Sequence, residues 1–129
     1  MTGAGEQLPV LRRTVTQAVI DAYAGASGDA NPIHIDPEYA KSGPYGRTIA
    51  HGLMTLAFAG QLLNRWSAGR FDATGEIEVA FIGPVFAGDE VEVSGRVLPQ
   101  DAAGQQTIEI ECRVHGRPVL AGTARVERP

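Results

Sequence analysis

The chain has 129 residues, 43% of them hydrophobic, and a formal net charge of −4. That length suits one core rather than two marginal ones, and an acidic balance with no basic run excludes the electrostatic footprint of a nucleic-acid binder. Cys112 is the sole cysteine, which excludes an internal disulfide, and Met1 to Gln7 lack the basic-then-apolar pattern of a secretory leader. A reducing cytoplasm is the expected setting.

Leu8 to Arg13 reads as a short extended segment leading to Thr14 and Thr16, either of which can cap a helix by accepting a backbone N–H. Val15, Val19, Ala22, Tyr23 and Ala26 then recur at helical spacing, giving an apolar face expected to lie across the mouth of a curled sheet. Gly25 and Gly28 are the expected stop signals. A polar loop, Ser27-Gly28-Asp29-Ala30-Asn31-Pro32-Ile33-His34, follows, and then Asp36 with Pro37 predicts an N-capped helix of one or two turns. Ser42 to Gly46 breaks it.

From Ile49 to Trp66 the apolar residues fall on nearly every side of a helical wheel, so this helix is expected to be wrapped rather than docked. His51, Gln61, Asn64 and Arg65 interrupt it below the length a bilayer requires, which argues against a membrane span. Gly69 to Gly75 reads as a loop, after which the apolar period changes to two. Ile77, Val79 and Phe81, then Val91, Val93 and Val97, then Ile108, Ile110, Cys112 and Val114 each alternate with polar neighbours, and Val119 to Val126 follows a tight turn at His115-Gly116. Asp101 to Gly104 is a looser turn. Strands with one dry face beside one dominant apolar helix predict an α+β architecture, a single domain over 1–129 in which an antiparallel sheet wraps a long central helix. That picture is the hot-dog fold.

Asp29 and His34 are five residues apart, which on a regular helix would separate them. Pro32 lets them converge by bending the backbone, and Asn31 can bond local backbone to hold the turn. A carboxylate and an imidazole brought together can grip one water and exchange its protons near neutral pH. A purely structural reading has Asp29 capping the next turn and His34 partly buried. His51-Gly52 opens the apolar helix, where unpaired N–H groups and the positive end of the dipole face outward; a Gly52 N–H there can bind a substrate oxygen as negative charge develops on it. His51 itself reads as structural, orienting the loop, and His115 as a surface turn residue. Ala57, Ala59 and Gly60 form a run of small residues, at least one of which should leave space beside the helix. A reading from another class takes His34-x-Asp36 with His51 as a two-histidine, one-carboxylate iron site, which predicts a bound metal.

Ser27-Gly28-Asp29-x-Asn31-Pro32-x-His34-x-Asp36, followed by Tyr45-Gly46-x-x-Ile49-Ala50-His51-Gly52-Leu53 and Phe81-x-x-Pro84-Val85-Phe86-x-Gly88-Asp89, resembles the MaoC-like (R)-specific enoyl-CoA hydratases and dehydratases over about Ala22 to Val93. The resemblance implies reversible hydration of trans-2-enoyl thioesters, carried on coenzyme A or acyl carrier protein, to (3R)-hydroxyacyl thioesters. It implies Asp29 and His34 as the acid–base pair, Gly52 as oxyanion donor, Asn31 as support for the loop, and Gly60 where members of the family often carry a serine. It further implies a homodimer and no metal or redox cofactor, with Lys41, Arg47, Arg65 and Arg70 as scattered candidates for carrier phosphates. Hot-dog thioesterases place a carboxylate on or near the central helix, and Gly52 to Gln61 contains no acid. Non-catalytic hot-dog subunits lack the Asp and His that this chain retains.

Overall fold

The computed structural model describes residues 5–99 and 104–128. Strand β1 (Leu11–Thr14) leads into helix α1 (Gln17–Ser27), two short helices α2 (Pro32–Ile35) and α3 (Pro37–Lys41), the long helix α4 (Gly52–Ser67) and a short α5 (Arg70–Thr74). Strands β2 (Glu76–Phe81), β3 (Glu90–Val97), β4 (Gln105–Val114) and β5 (Arg117–Glu127) complete the chain. All five strands pair antiparallel in one sheet, in the order β1-β3-β4-β5-β2.

The alternation read from the sequence decides which face of the sheet is dry. Val91, Val93 and Val97 of β3, Ile108, Ile110 and Cys112 of β4, and Leu120, Ala124 and Val126 of β5 are all buried, and they share a core with Met54, Ala59, Leu62 and Leu63 of α4. Each fully buried aliphatic chain contributes about 1.5–3 kcal/mol as an upper bound, so this helix-on-sheet contact dominates the stabilisation. The edge strand β2 closes on β5 at Gly122, opposite Val79. A Cβ there would lie 2.0 Å from the Glu78 carbonyl oxygen, so only glycine admits that approach.

Local signals set the helix ends. Thr16 Oγ1 accepts the Val19 N–H at 3.1 Å, and Gly28 ends α1 in the left-handed region with φ 81°. Asp36 accepts from the Glu38 and Tyr39 amides at the start of α3. The β4–β5 hairpin turns on His115 and Gly116, where the sequence predicts a tight turn, and both residues have a positive φ. No helix among the described residues is long and apolar enough to cross a membrane.

Four expectations need correction. Val15 is not part of α1; it is fully buried just after β1, and the buried residues of α1 are Ile20 and Ala24, while Val19, Ala22, Tyr23 and Ala26 face an open cleft. Residues 49 to 51 are extended rather than helical, because Ile49 bridges to Phe86 and the Ala50 N–H donates to the Val85 carbonyl. Helix α4 is not wrapped on every side: Leu53 is 62% exposed and Ala57 and Gln61 are exposed on the flank that the sheet does not reach. Gly69 to Gly75 contains α5 rather than a plain loop, since Ser67 Oγ and Asn64 Oδ1 accept the Phe71 and Asp72 amides and start a new turn. The turn expected at Asp101 to Gly104 lies outside the described residues except for Gly104, which has a positive φ.

Candidate active site

The segment from Ser27 to Asp36 is a chain of short-range caps. The Asp29 amide donates to Ser27 Oγ, the Asn31 amide to Asp29 Oδ1 at 3.3 Å, and the Ile33 amide to Asn31 Oδ1 at 3.0 Å. Pro32 begins α2 at the position where a missing N–H is harmless, and the resulting single turn swings His34 back over Asp29. Thus one oxygen of Asp29 is committed to the loop, and the other, Oδ2, faces His34 Nε2 at 3.9 Å. His34 is largely buried, whereas the Asp29 side chain is 56% exposed.

The other nitrogen of His34, Nδ1, lies 2.7 Å from the Ile49 carbonyl oxygen. A carbonyl only accepts, so Nδ1 carries the proton and Nε2 of the neutral ring presents a lone pair. Two acceptors therefore face each other across a gap too wide for a direct hydrogen bond. A water placed about 2.8 Å from each would span them with an angle of about 90°, close to its own H–O–H geometry, and would donate one hydrogen to each.

His51 is buried beneath this pair. Its ring stacks on His34 with centroids 3.8 Å apart and planes 24° from parallel, Tyr23 packs against it at 4.8 Å, and its Nε2 lies 2.7 Å from the Asp29 carbonyl oxygen. The structural reading of His51 as an orienter of the loop fits these contacts. The sequence pointed to none of the ring contacts, because stacking between residues 17 positions apart leaves no local pattern.

Gly52 follows directly as the first residue of α4, so its N–H has no carbonyl four residues back in the helix. A Cβ at Gly52 would lie 3.2 Å from Phe81 Cε1, and Gly52 lines a cavity of 240 Å³ together with Tyr45, Thr55, Phe81 and Ile82. Gly60 stands apart. It lies about 12 Å further along α4 and lines a larger apolar cleft of 1080 Å³ between α1, α4 and α5, shared with Val19, Tyr23, Met54 and Phe71. Tyr23 touches both regions, since its ring packs on His51 and also lines this cleft. Asn31 sits in the loop as the N-cap of α2, with its side-chain oxygen occupied.

Ligand atoms of Asp29, His34 and His51 lie within 4.8 Å of one another, a set that could suggest a metal. His51 Nε2 faces a carbonyl and so bears a proton, which leaves the buried Nδ1 as that ring's lone pair. Asp36, the carboxylate of the iron reading, is consumed capping α3. Among the cations, Lys41 pairs with Glu38, Arg47 donates to the Ala87 carbonyl and covers the Phe86 ring, Arg70 donates to the Glu127 carbonyl, and Arg65 lines the large cleft.

A five-stranded antiparallel sheet packed on one long helix, with a carboxylate and an imidazole in the polar loop beside the start of that helix, defines this as a hot-dog domain. The pattern of the MaoC like domain matches residues 3–116, and the chain belongs to that family. It is 35% identical over 100 residues to a 3-hydroxyacyl-thioester dehydratase Z of Mycobacterium tuberculosis, a match covering 74% of this chain and 66% of that protein. It is 32% identical over 127 residues to an (R)-specific enoyl-CoA hydratase of Rhodospirillum rubrum, covering 92% of this chain and 83% of that one. Its fold superposes on an (R)-hydratase from A. caviae involved in PHA biosynthesis with a TM-score of 0.87 and 26% identity, covering 98% and 97% of the two chains.

Proposed function

We propose that the protein catalyses the reversible addition of water to a trans-2-enoyl thioester, giving a (3R)-hydroxyacyl thioester. The observation that carries this reading is the facing of two acceptors, Asp29 Oδ2 and His34 Nε2, at 3.9 Å with His34 locked by the Ile49 carbonyl. Neither atom brings a proton of its own when the histidine is neutral and the aspartate ionised. The oxygen of the water therefore adds to the β-carbon while one of its protons passes to the pair, and that same proton is returned to the α-carbon. Every transferred atom comes from one wall, so hydroxyl and hydrogen add to the same face of the double bond. The Gly52 N–H, at the positive end of α4, supports this by meeting the thioester oxygen as enolate charge grows on it. The (3R) sense follows the (R)-specific relative.

The acyl chain is assigned to the cleft beside Gly60, and the thioester is carried on coenzyme A or acyl carrier protein. Leu53, Tyr45, Phe81 and Ile82 are large apolar residues left exposed near the β2 edge of the sheet, which supports a homodimer formed through that region. Sedimentation of an active preparation is expected to give the mass of two chains, and an active monomer would overturn that assignment. Hydration of crotonyl-CoA, followed as loss of the enoyl absorbance and by chiral analysis of the product, tests the chemistry. The expected product is the (3R) acid thioester with rates insensitive to chelators; a (3S) product would show that the water is held elsewhere.

A further inference from the structure

The turn that carries Asp29 and His34 is too short to hold its own shape, since α2 comprises only four residues. Two side chains from outside the turn hold the main-chain carbonyls of these same two residues. His51, at the start of α4, donates from Nε2 to the Asp29 carbonyl at 2.7 Å, and Gln17, the first residue of α1, donates from Nε2 to the His34 carbonyl at 2.9 Å. The orientation of the Gln17 amide is fixed by chemistry: its nitrogen also faces Asp21 Oδ1 at 2.9 Å, an acceptor, and its oxygen receives the hydroxyl of the buried Thr48 at 2.7 Å.

His51 shows a second sign of being selected for position. With the proton on Nε2, its Nδ1 is a lone pair, and that atom is buried without a hydrogen-bond partner. An unmet acceptor in a residue only 3% exposed is costly, and such exceptions call for an explanation. Here the ring supplies two things at once: a donor to Asp29 and a flat face stacked 3.8 Å from His34. A plain amide gives the first without the second, and a phenyl ring the second without the first.

We infer that Gln17 and His51 are positioning residues that clamp the carbonyls of Asp29 and His34 and so set the gap between Oδ2 and Nε2. This rests on the reading of Asp29 and His34 as the acid–base pair. A displacement of about 1 Å at such a gap is worth about 10²-fold in rate, so the clamp acts on turnover rather than on substrate affinity.

The test uses the full chain with the best substrate from a panel of enoyl-CoA thioesters of rising length. His51→Phe is expected to lower kcat by about 10- to 100-fold with KM nearly unchanged, and His51→Gln, whose Nε2 still reaches the Asp29 carbonyl, is expected to recover part of the loss. Gln17→Met acts from the opposite side of the turn and is expected to give a smaller loss in kcat with the same unchanged KM; it keeps the test decisive if His51→Phe unfolds. In an Asp29→Asn background the His51→Phe loss is expected to shrink, because the group it positions is already gone. Near-normal kcat in both His51→Phe and Gln17→Met, a loss confined to KM, or an undiminished loss in the Asp29→Asn background would overturn the clamp. Normal activity in Asp29→Asn and His34→Gln alone would instead overturn the functional reading beneath it.

Discussion

Helix α4 has two unlike sides. Towards the sheet, Ala59, Leu62 and Leu63 are buried in one core with the dry faces of β3, β4 and β5. Towards α1 and α5, Ala57, Gly60 and Gln61 border a cleft of 1080 Å³ lined mostly by apolar side chains, with Asn64, Arg65 and Asp72 also on its wall. At the N-terminal end of the helix, His51 adjoins the Asp29–His34 turn and Gly52 follows it. One element thus supplies a fixed wall, an adaptable space and an electrostatic end. Under the proposed function, substitutions on the fixed wall are expected to act on stability, those on the open flank on substrate shape, and those at the N-terminal end on rate.

The largest expected effect belongs to that end. Asp29→Asn and His34→Gln should each lower turnover by about 10²–10⁴-fold, the usual worth of acid–base catalysis, and the double variant should be little worse than either because the two act as a unit. The unfolding temperature of Asp29→Asn should barely move, since Asp29 is half-exposed and the amide of asparagine retains an oxygen for the Asn31 N–H. Steady-state kinetics beside thermal melts make the check. Near-normal turnover in both single variants would remove the distinction between the polar end and the rest of the helix.

The open flank should respond differently. A Cβ at Gly60 would meet only Phe71 Cε2, at an ordinary 3.7 Å, so Gly60→Leu fits without breaking the fold and improves helix propensity by up to about 1 kcal/mol. Its bulk projects into the cleft. Turnover of long-chain enoyl thioesters should fall by about 10-fold or more, in line with what a few methylene contacts are worth, while crotonyl-CoA is handled as before. An unchanged chain-length profile in a folded variant would place the acyl group elsewhere.

The closed wall was the more legible part of the sequence, and the reason is periodicity. Valines 91, 93 and 97 and isoleucines 108 and 110 repeat every second residue, so their shared burial follows from strand geometry alone. The open flank was misread for a matching reason: composition cannot tell a helix surrounded by protein from one that leaves an apolar side to a ligand or a second chain. The same ambiguity put Val19, Ala22 and Ala26 on a packing face when they border the cleft. At the polar end, Asn31, Pro32 and Asp36 announced the turn through local capping, and the approach of Asp29 to His34 followed from it. His51 was read as orienting the loop, but Gln17 and Tyr23 were invisible as partners of that turn, because their contacts join segments far apart in sequence.

The smallest effect should come from the closed wall's own reactive atom. Cys112 projects from β4 toward α4, fully buried, with its sulfur 4.0 Å from the Thr55 carbonyl oxygen. Burial first, and the charge of Glu111 second, push its thiol up from 9.0 to about 12. At pH 8 it is therefore neutral and shielded, and a thiolate is what alkylating reagents require. Iodoacetamide should leave the folded protein unmodified and fully active at that pH, and should label Cys112 once the chain is unfolded, as mass spectrometry would show. The sign of the accompanying stability change follows from the raised value. Below pH 9 both states keep the proton and the thiol is neutral in each; between about 9 and 12 only the unfolded chain releases it, so stability falls as pH rises through that window. Rapid labelling of the folded protein at pH 8 would mean that the sheet side of α4 opens as readily as the cleft side, and the contrast between the helix's two flanks would be lost.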